Sequence, residues 1–207
     1  MLIVHDFDAS PNCLKTKILL YELGIPFEQR SVDRPILQSA AYRAKFPTGF
    51  APAIEDGEVR LSESGAIALY LAEKHNKLMP SSNAGRSKML QAMFVEAAIL
   101  SPTVGGQGLF GELFRPEAER NLPRITDLRV KVQHVGHVLG ELLGDASFFA
   151  GEFSIADIQL YAATAKTLES GTLEAPPKNL VAWRARMTDR PAVARAREEY
   201  VHYRRQA

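Results

Sequence analysis

Sulfur is scarce in this chain. Cys13 is the only cysteine in 207 residues, which excludes an internal disulfide and any multi-cysteine metal site and makes a reducing compartment the natural home. Net charge is nearly absent as well: 25 lysines and arginines face 24 aspartates and glutamates, so no overall field would hold a polyanion and nucleic acid is not an expected partner. The locally basic stretch from Arg184 to Arg205 interleaves its arginines with Glu198 and Glu199 and reads as the solvated face of a last helix. No run approaches the ~18 consecutive apolar residues that span a bilayer, and the opening MLIVHDFD has no basic leader followed by an apolar core. A cytoplasmic protein with no membrane partner is the expectation. Internal repeats and low-complexity segments are also missing.

What remains is an ordinary globular composition, 46% hydrophobic and 24% charged, in a chain long enough for one large or two small domains. Leu2-Ile3-Val4 is a short buried-strand run that ends in a loop at Asp6 and Asp8. Ser10-Pro11 then supplies a cap and a first-position proline, and Leu14, Ile18, Leu19 and Leu23 recur at helical spacing until Gly24 stops them. Residues 27–32 read as a second strand, parallel to the first because a helix separates them. A weaker helix follows over 35–45, then a loop punctuated by Pro47, Gly49 and Pro52. Two short strands flank Asp56-Gly57, a hairpin signature, and a helix spans 63–75. Past the polar stretch Leu78 to Asn83 every pattern is helical: 86–114, interrupted at Gly105-Gly106-Gln107-Gly108, then 124–143, 155–169, 178–188 and 191–204. The expected organisation is α/β plus all-α, a βαβαββα domain over 1–79, a linker over 80–86 and an all-helical domain over 87–207.

Three constellations carry chemistry. Ser10-Pro11-Asn12-Cys13 sits where a helix begins, and unpaired N–H groups with about half a positive charge stabilise an anion there. A serine hydroxyl at that point can donate to a bound sulfur and lower its pKa, although the plainer reading of these four residues by themselves is a capping serine. Phe50-Ala51-Pro52 places a proline at the entrance to a strand, which fits a turn with a cis Ala51-Pro52 bond as well as an ordinary trans loop. Glu63-Ser64 opens the helix after the hairpin and suits an α-amino acid end, the carboxylate on the helix start and the amine on Glu63; a helix start capped by Ser62 fits equally. Farther on, Ser154 and Asp157 form a capping box, with Phe153 and Ile158 placed for a hydrophobic staple, so Asp157 reads as structural.

These residues resemble a family. Ser-Pro-Asn at the helix start, Tyr21-Glu22-Leu23-Gly24-Ile25-Pro26-Phe27-Glu28, the Pro47-x-Gly49-x-Ala51-Pro52 loop and Leu61-Ser62-Glu63-Ser64-x-Ala66-Ile67-x-x-Tyr70-Leu71 look like the thioredoxin-like half of a cytosolic glutathione S-transferase. Phe149 to Asp157, Trp183 and Arg190-Pro191-Ala192-Val193 are similar to the helical half. The resemblance covers nearly the whole chain and is nearest to serine-type, bacterial phi-like and nu-like members, since Asn12 matches an asparagine that follows the catalytic residue in the phi-like and nu-like groups and Phe7 stands where the tyrosine-using classes carry their tyrosine.

The resemblance implies glutathione as co-substrate, no metal, and a homodimer. It makes Ser10 the hydroxyl facing the thiolate, with Asn12 beside it as a second catalytic candidate. Phe50, Ala51 and Pro52 would form the edge that binds the cysteinyl part, Glu63 and Ser64 the γ-glutamyl site, and Gln38, with Arg34, the glycyl contact. Phe7, Phe110 and Phe114 are the apolar candidates for the pocket of a small-molecule electrophile. Cys13 lies three residues after Ser10 and fits a small buried hydrophobe better than a redox thiol, although a first-turn cysteine with a lowered pKa could form a mixed disulfide. Conjugation to an apolar electrophile is the implied activity. A glutathione-dependent disulfide oxidoreductase or peroxidase, an isomerase or ether-cleaving enzyme, and a non-catalytic glutathione-binding or scaffold protein remain open beside it.

Overall fold

The computed structural model describes residues 1–8 and 10–200. It divides into two compact units, residues 1–79 joined by the C-terminal segment from Thr188, and residues 80–187.

The first unit is a mixed four-stranded sheet in the order β2-β1-β3-β4, a thioredoxin-like arrangement. β1 (Leu2–Asp6) runs parallel to β2 (Phe27–Ser31) and antiparallel to β3 (Ala53–Asp56), which turns at Gly57 into β4 (Val59–Ser62). Gly57 has φ 62°, the left-handed geometry that a tight hairpin needs and that glycine adopts without strain. Between β1 and β2, α1 (Pro11–Leu23) ends at Gly24, whose N–H bonds the carbonyls of Leu20 and Tyr21 in a left-handed cap.

The expected helix over 35–45 is two. α2 (Arg34–Gln38) and α3 (Ala40–Lys45) are separated by Ser39, which is extended at ψ 147° and whose hydroxyl accepts from the Tyr42 N–H. A serine that caps a new turn competes with continuation of the old one, which the apolar pattern does not reveal. α4 (Ser64–His75) closes the unit's own fold. The last helix, expected with the helical domain, packs instead on α1: α11 (Pro191–Glu199) is tied there by the forked Arg190–Glu22 pair at 2.6 and 2.8 Å and by the Tyr21 hydroxyl on Glu199 at 2.6 and 2.7 Å. It ends at Tyr200, which is extended; positions 201–204, also expected to be helical, lie outside the described residues.

The second unit is helical. α5 (Asn83–Val95) runs into a π-helical turn over Glu96–Leu100 and then α6 (Ser101–Val104). The glycine interruption then redirects the chain into α7 (Leu109–Leu113). A Cβ on Gly108 would lie 2.1 Å from the Thr103 carbonyl and one on Gly111 1.8 Å from that of Gly106, so close backbone approach is why these positions are glycine. By length and composition the run 83–113 could cross a bilayer; Leu100, Val104 and Leu109 within it are buried in the unit. α8 (Leu122–Leu143), α9 (Ile155–Glu169) and α10 (Lys178–Thr188) complete the unit.

α9 is buried on nearly every side and starts with the expected capping box. Asp157, fully buried, accepts from the N–H groups of Phe149 and Ser154 at 3.1 and 3.0 Å and from the Trp183 indole at 2.9 Å. Burial pushes its carboxyl pKa up while these donors pull it back. The Phe153 ring meets Phe148 edge-on at 5.5 Å.

Candidate functional site

Ser10 is the N-cap of α1 by backbone geometry, φ −90° and ψ 120°, yet its side chain makes no capping hydrogen bond. The capping work is done by its carbonyl, which accepts from the N–H groups of Cys13 and Leu14 at 3.0 and 3.1 Å. Pro11 has no N–H, so among the described residues the Asn12 amide is the first-turn donor with no partner in the chain. The half-buried Ser10 hydroxyl and the Asn12 N–H are therefore both present at the positive end of a 13-residue helix. The Asn12 side chain is partly committed, its Oδ1 accepting from Lys15 Nζ at 2.8 Å.

Cys13 is buried, and its thiol is pushed up to about 12. Burial is the largest cause and the nearby Asp6 carboxylate the next; hydrogen bonds from the Phe7 N–H, at 3.3 Å, and the Ser10 hydroxyl pull the other way without prevailing. The low pKa that a first-turn cysteine could have had is overridden by loss of solvation.

The Ala51-Pro52 bond is cis. Ala51 packs with Phe7 and Leu37 against a buried cluster of Val32, Tyr42, Phe46 and Ala53, and the Tyr42 hydroxyl donates to the Phe50 carbonyl at 3.1 Å, fixing the loop from beneath. The Phe50 ring is 62% exposed. Glu63 takes φ 74° and ψ 116° at the head of α4, a conformation that costs a non-glycine residue about 1–3 kcal/mol. Its side chain makes no capping bond, and Ser62 does not cap either: its hydroxyl pairs with Thr48 Oγ1 at 3.1 Å. Ser64 beside it is buried. Gln38 and Arg34 stand exposed at the two ends of α2.

Residues 4–81 match the family described as Glutathione S-transferase, N-terminal domain. Over nearly its full length the chain is 32% identical to the disulfide-bond oxidoreductase YfcG of Escherichia coli (strain K12), covering 92% of each. It is 30% identical to the glutathione S-transferase GstB of the same strain, covering 93% of this chain and 96% of that one. The chain belongs to the glutathione S-transferase superfamily. Among solved structures, a glutathione transferase from Burkholderia graminis with two glutathione molecules bound per subunit superposes with a TM-score of 0.85 at 27% identity, over 94% of this chain and 86% of that one.

Within this glutathione S-transferase fold, the candidates named from sequence fall into separate groups. Ser10, Asn12, Ala51, Pro52, Glu63 and Ser64 lie at the ends of elements of the sheet unit. Phe7 is half-buried and spends part of its ring on the core cluster. Phe110 and Phe114 belong to the helical unit, where they stack with centroids 6.2 Å apart and planes at 27°.

Sequence reasoning missed the Tyr42 and Thr48 hydroxyls that hold the proline loop, and it missed Lys166, whose Nζ lies 5.8 Å from the Phe110 ring centroid. Lys15 could have been read three residues after Asn12, one turn along the helix; Lys166 and Phe110 lie too far apart in the chain for any local pattern. Among the described residues no three His, Cys, Asp or Glu converge on a metal-sized site.

Proposed function

We propose that this chain is a serine-type glutathione transferase, akin to the bacterial phi-like and nu-like groups, which stabilises the glutathione thiolate at Ser10 for attack on an electrophile. The observation that carries the reading is the Ser10 hydroxyl: it stands at the head of α1 and is not spent on capping it. A thiolate placed there would accept from the Ser10 hydroxyl and the Asn12 N–H, at the positive end of the helix dipole, and each favours the charged form. The hydroxyl donates and needs no base.

The Ala51 N–H and C=O fit the cysteinyl backbone of an extended peptide, since among the described residues neither has a hydrogen-bond partner. Glu63 and Ser64 would take the γ-glutamyl amine and carboxylate, and Gln38 the glycyl end. Phe7, in the sheet unit, supplies apolar surface for the acceptor. Catalysis then comes from positioning and thiolate stabilisation. The electrons that form the new C–S bond come from the thiolate, and the leaving group departs with the pair from the broken bond.

A disulfide-reducing activity is the second reading, favoured by the likeness to YfcG. With Cys13 buried and its thiol pushed up to about 12, disulfide exchange on this chain would run between two glutathione molecules, with no protein cysteine in the relay. Turnover of a chloronitrobenzene against reduction of hydroxyethyl disulfide separates the two activities. Failure to be retained on immobilised glutathione, with neither activity present, would leave only a scaffold role.

The cytoplasm is the proposed compartment and a homodimer the proposed assembly. The dimer is supported by apolar side chains left in solvent, Phe50 at 62% and Phe94 at 69%, the latter one turn from Leu90 on α5; sedimentation tests it.

A further inference from the structure

Two lysines on α1 are buried. Lys17 is paired with Asp6, its Nζ 3.0 Å from Oδ2. Lys15 lies nearer the head of the helix, is 1% exposed, and donates to the Asn12 Oδ1 at 2.8 Å. Residues three apart lie on one helix face, so the Lys15 side chain reaches back over the first turn. An ammonium out of water is kept only where its acceptors are fixed, and in that low-dielectric setting the bond is stronger than in solvent.

The bond also settles which way the Asn12 carboxamide faces. An ammonium donates and cannot accept, so the atom against it is the amide oxygen; turned over, the amide would set N–H against N–H. Because the amide is planar, fixing its oxygen fixes its nitrogen. Among the described residues Nδ2 has no partner in the chain, and Asn12 is only half-buried, so the nitrogen is open to solvent. The residue whose backbone N–H is unpaired at the positive end of α1 thus carries unpaired side-chain donors as well, two positions from Ser10.

We propose that Lys15 is a positioning residue that holds the Asn12 carboxamide with its N–H donors on the glutathione sulfur. This rests on the glutathione-dependent reading above and adds a third donor to it, with the reason for that donor's orientation. Lys15 does not touch the sulfur. Its charge draws electron density toward Oδ1, and amide resonance then makes the Nδ2 hydrogens stronger donors to an anion. The carboxamide so held favours the thiolate over the thiol.

The test follows the bound thiol directly. Ultraviolet thiolate absorbance of the glutathione complex is recorded across pH for wild type, Asn12→Ala, Lys15→Met and the double variant, with Ser10→Ala and urea unfolding beside them. Asn12→Ala and Lys15→Met should each raise the thiol midpoint by about half a unit to one unit, the loss of one hydrogen bond to a partly solvated anion. The double variant should sit no higher than Asn12→Ala, because Lys15 acts through Asn12. At neutral pH kcat/KM should fall about three- to tenfold in each and recover as pH passes the new midpoint.

A Lys15→Met midpoint equal to that of wild type overturns the proposal. So do additive shifts in the double variant, which would give Lys15 a field of its own and no hold on Asn12, and a loss of urea stability with the midpoint kept, which would mark a packing role. Midpoints that move in the Lys15 and Asn12 variants but not in Ser10→Ala keep this proposal and remove Ser10 from the thiol; the converse removes Lys15 alone. A wild type that binds no glutathione overturns both. Should Lys15→Met not fold, nuclear magnetic resonance of the wild-type complex decides. The Asn12 Nδ2 and Lys15 Nζ resonances should both shift with the midpoint of the bound thiol, and either one standing still refutes the link.

Discussion

Replacing Ser10 by alanine separates a capping serine from one that faces sulfur, because the two roles predict opposite pairs of results. An N-cap serine that bonds the first turn is worth about 0.5–2 kcal/mol of stability. Here the side chain makes no such bond, so Ser10→Ala should change unfolding free energy by less than about 0.5 kcal/mol, the range of ordinary surface substitutions. The effect on bound glutathione should be large. A hydrogen bond to a charged acceptor contributes about 1.5–3 kcal/mol net, and about 1.4 kcal/mol corresponds to one pH unit of thiol titration.

Losing the hydroxyl should therefore raise the midpoint of the bound thiol by about one to two pH units. The Asn12 N–H and the α1 dipole remain, the dipole worth about 0.3–1 kcal/mol. The assay is ultraviolet thiolate absorbance of the binary complex across pH, run beside the pH profile of kcat/KM and a urea titration. At neutral pH the variant should be about ten- to a hundredfold slower, and the deficit should shrink as pH rises past the new midpoint. An unchanged thiol midpoint, or a stability loss above about 1 kcal/mol with activity kept, would refute the reasoning and return Ser10 to a structural role.

Cys13 should resist iodoacetamide in the native protein. A thiol at about 12 is about a thousandfold less ionised at neutral pH than an ordinary one, so labelling followed by mass spectrometry should need denaturant, and rapid native labelling or glutathionylation would contradict the burial. Asp157→Ala should leave the Phe149, Ser154 and Trp183 donors unpaired in the core and destabilise by about 3–5 kcal/mol. Trp183, the only tryptophan, reports that unfolding by its fluorescence, and a loss under about 1 kcal/mol would be inconsistent with the buried network.

Glu55 and Asp56 are both held below the usual carboxylate range, the first chiefly by its hydrogen bond from His5 and the second by that from Lys74. Unfolded, they bind protons at a higher pH than they do folded, so their stabilisation is complete above the ordinary range near about 4 and is lost as pH falls through the depressed folded values. Denaturation midpoints below that range should fall less steeply in Glu55→Gln than in wild type.

The sequence by itself determined the elements whose signals span a turn or less. Ser10-Pro11 started α1 and Gly24 ended it, Asp56-Gly57 made the hairpin, and Ser154 with Asp157 boxed the head of α9, because caps and turns are chosen by contacts within about four residues. The order of strands and helices also followed from local periodicity. Tertiary structure decided what those elements do. Whether Cys13 is solvated, and whether the last helix joins its neighbours in sequence or returns to α1, both depend on groups that meet across long stretches of chain, as Arg190 and Glu22 do. Burial and long-range charge leave no periodic trace. The pairing of Lys166 with Phe110 across the helical unit is the plainest case, since neither residue's neighbours in sequence hint at the other.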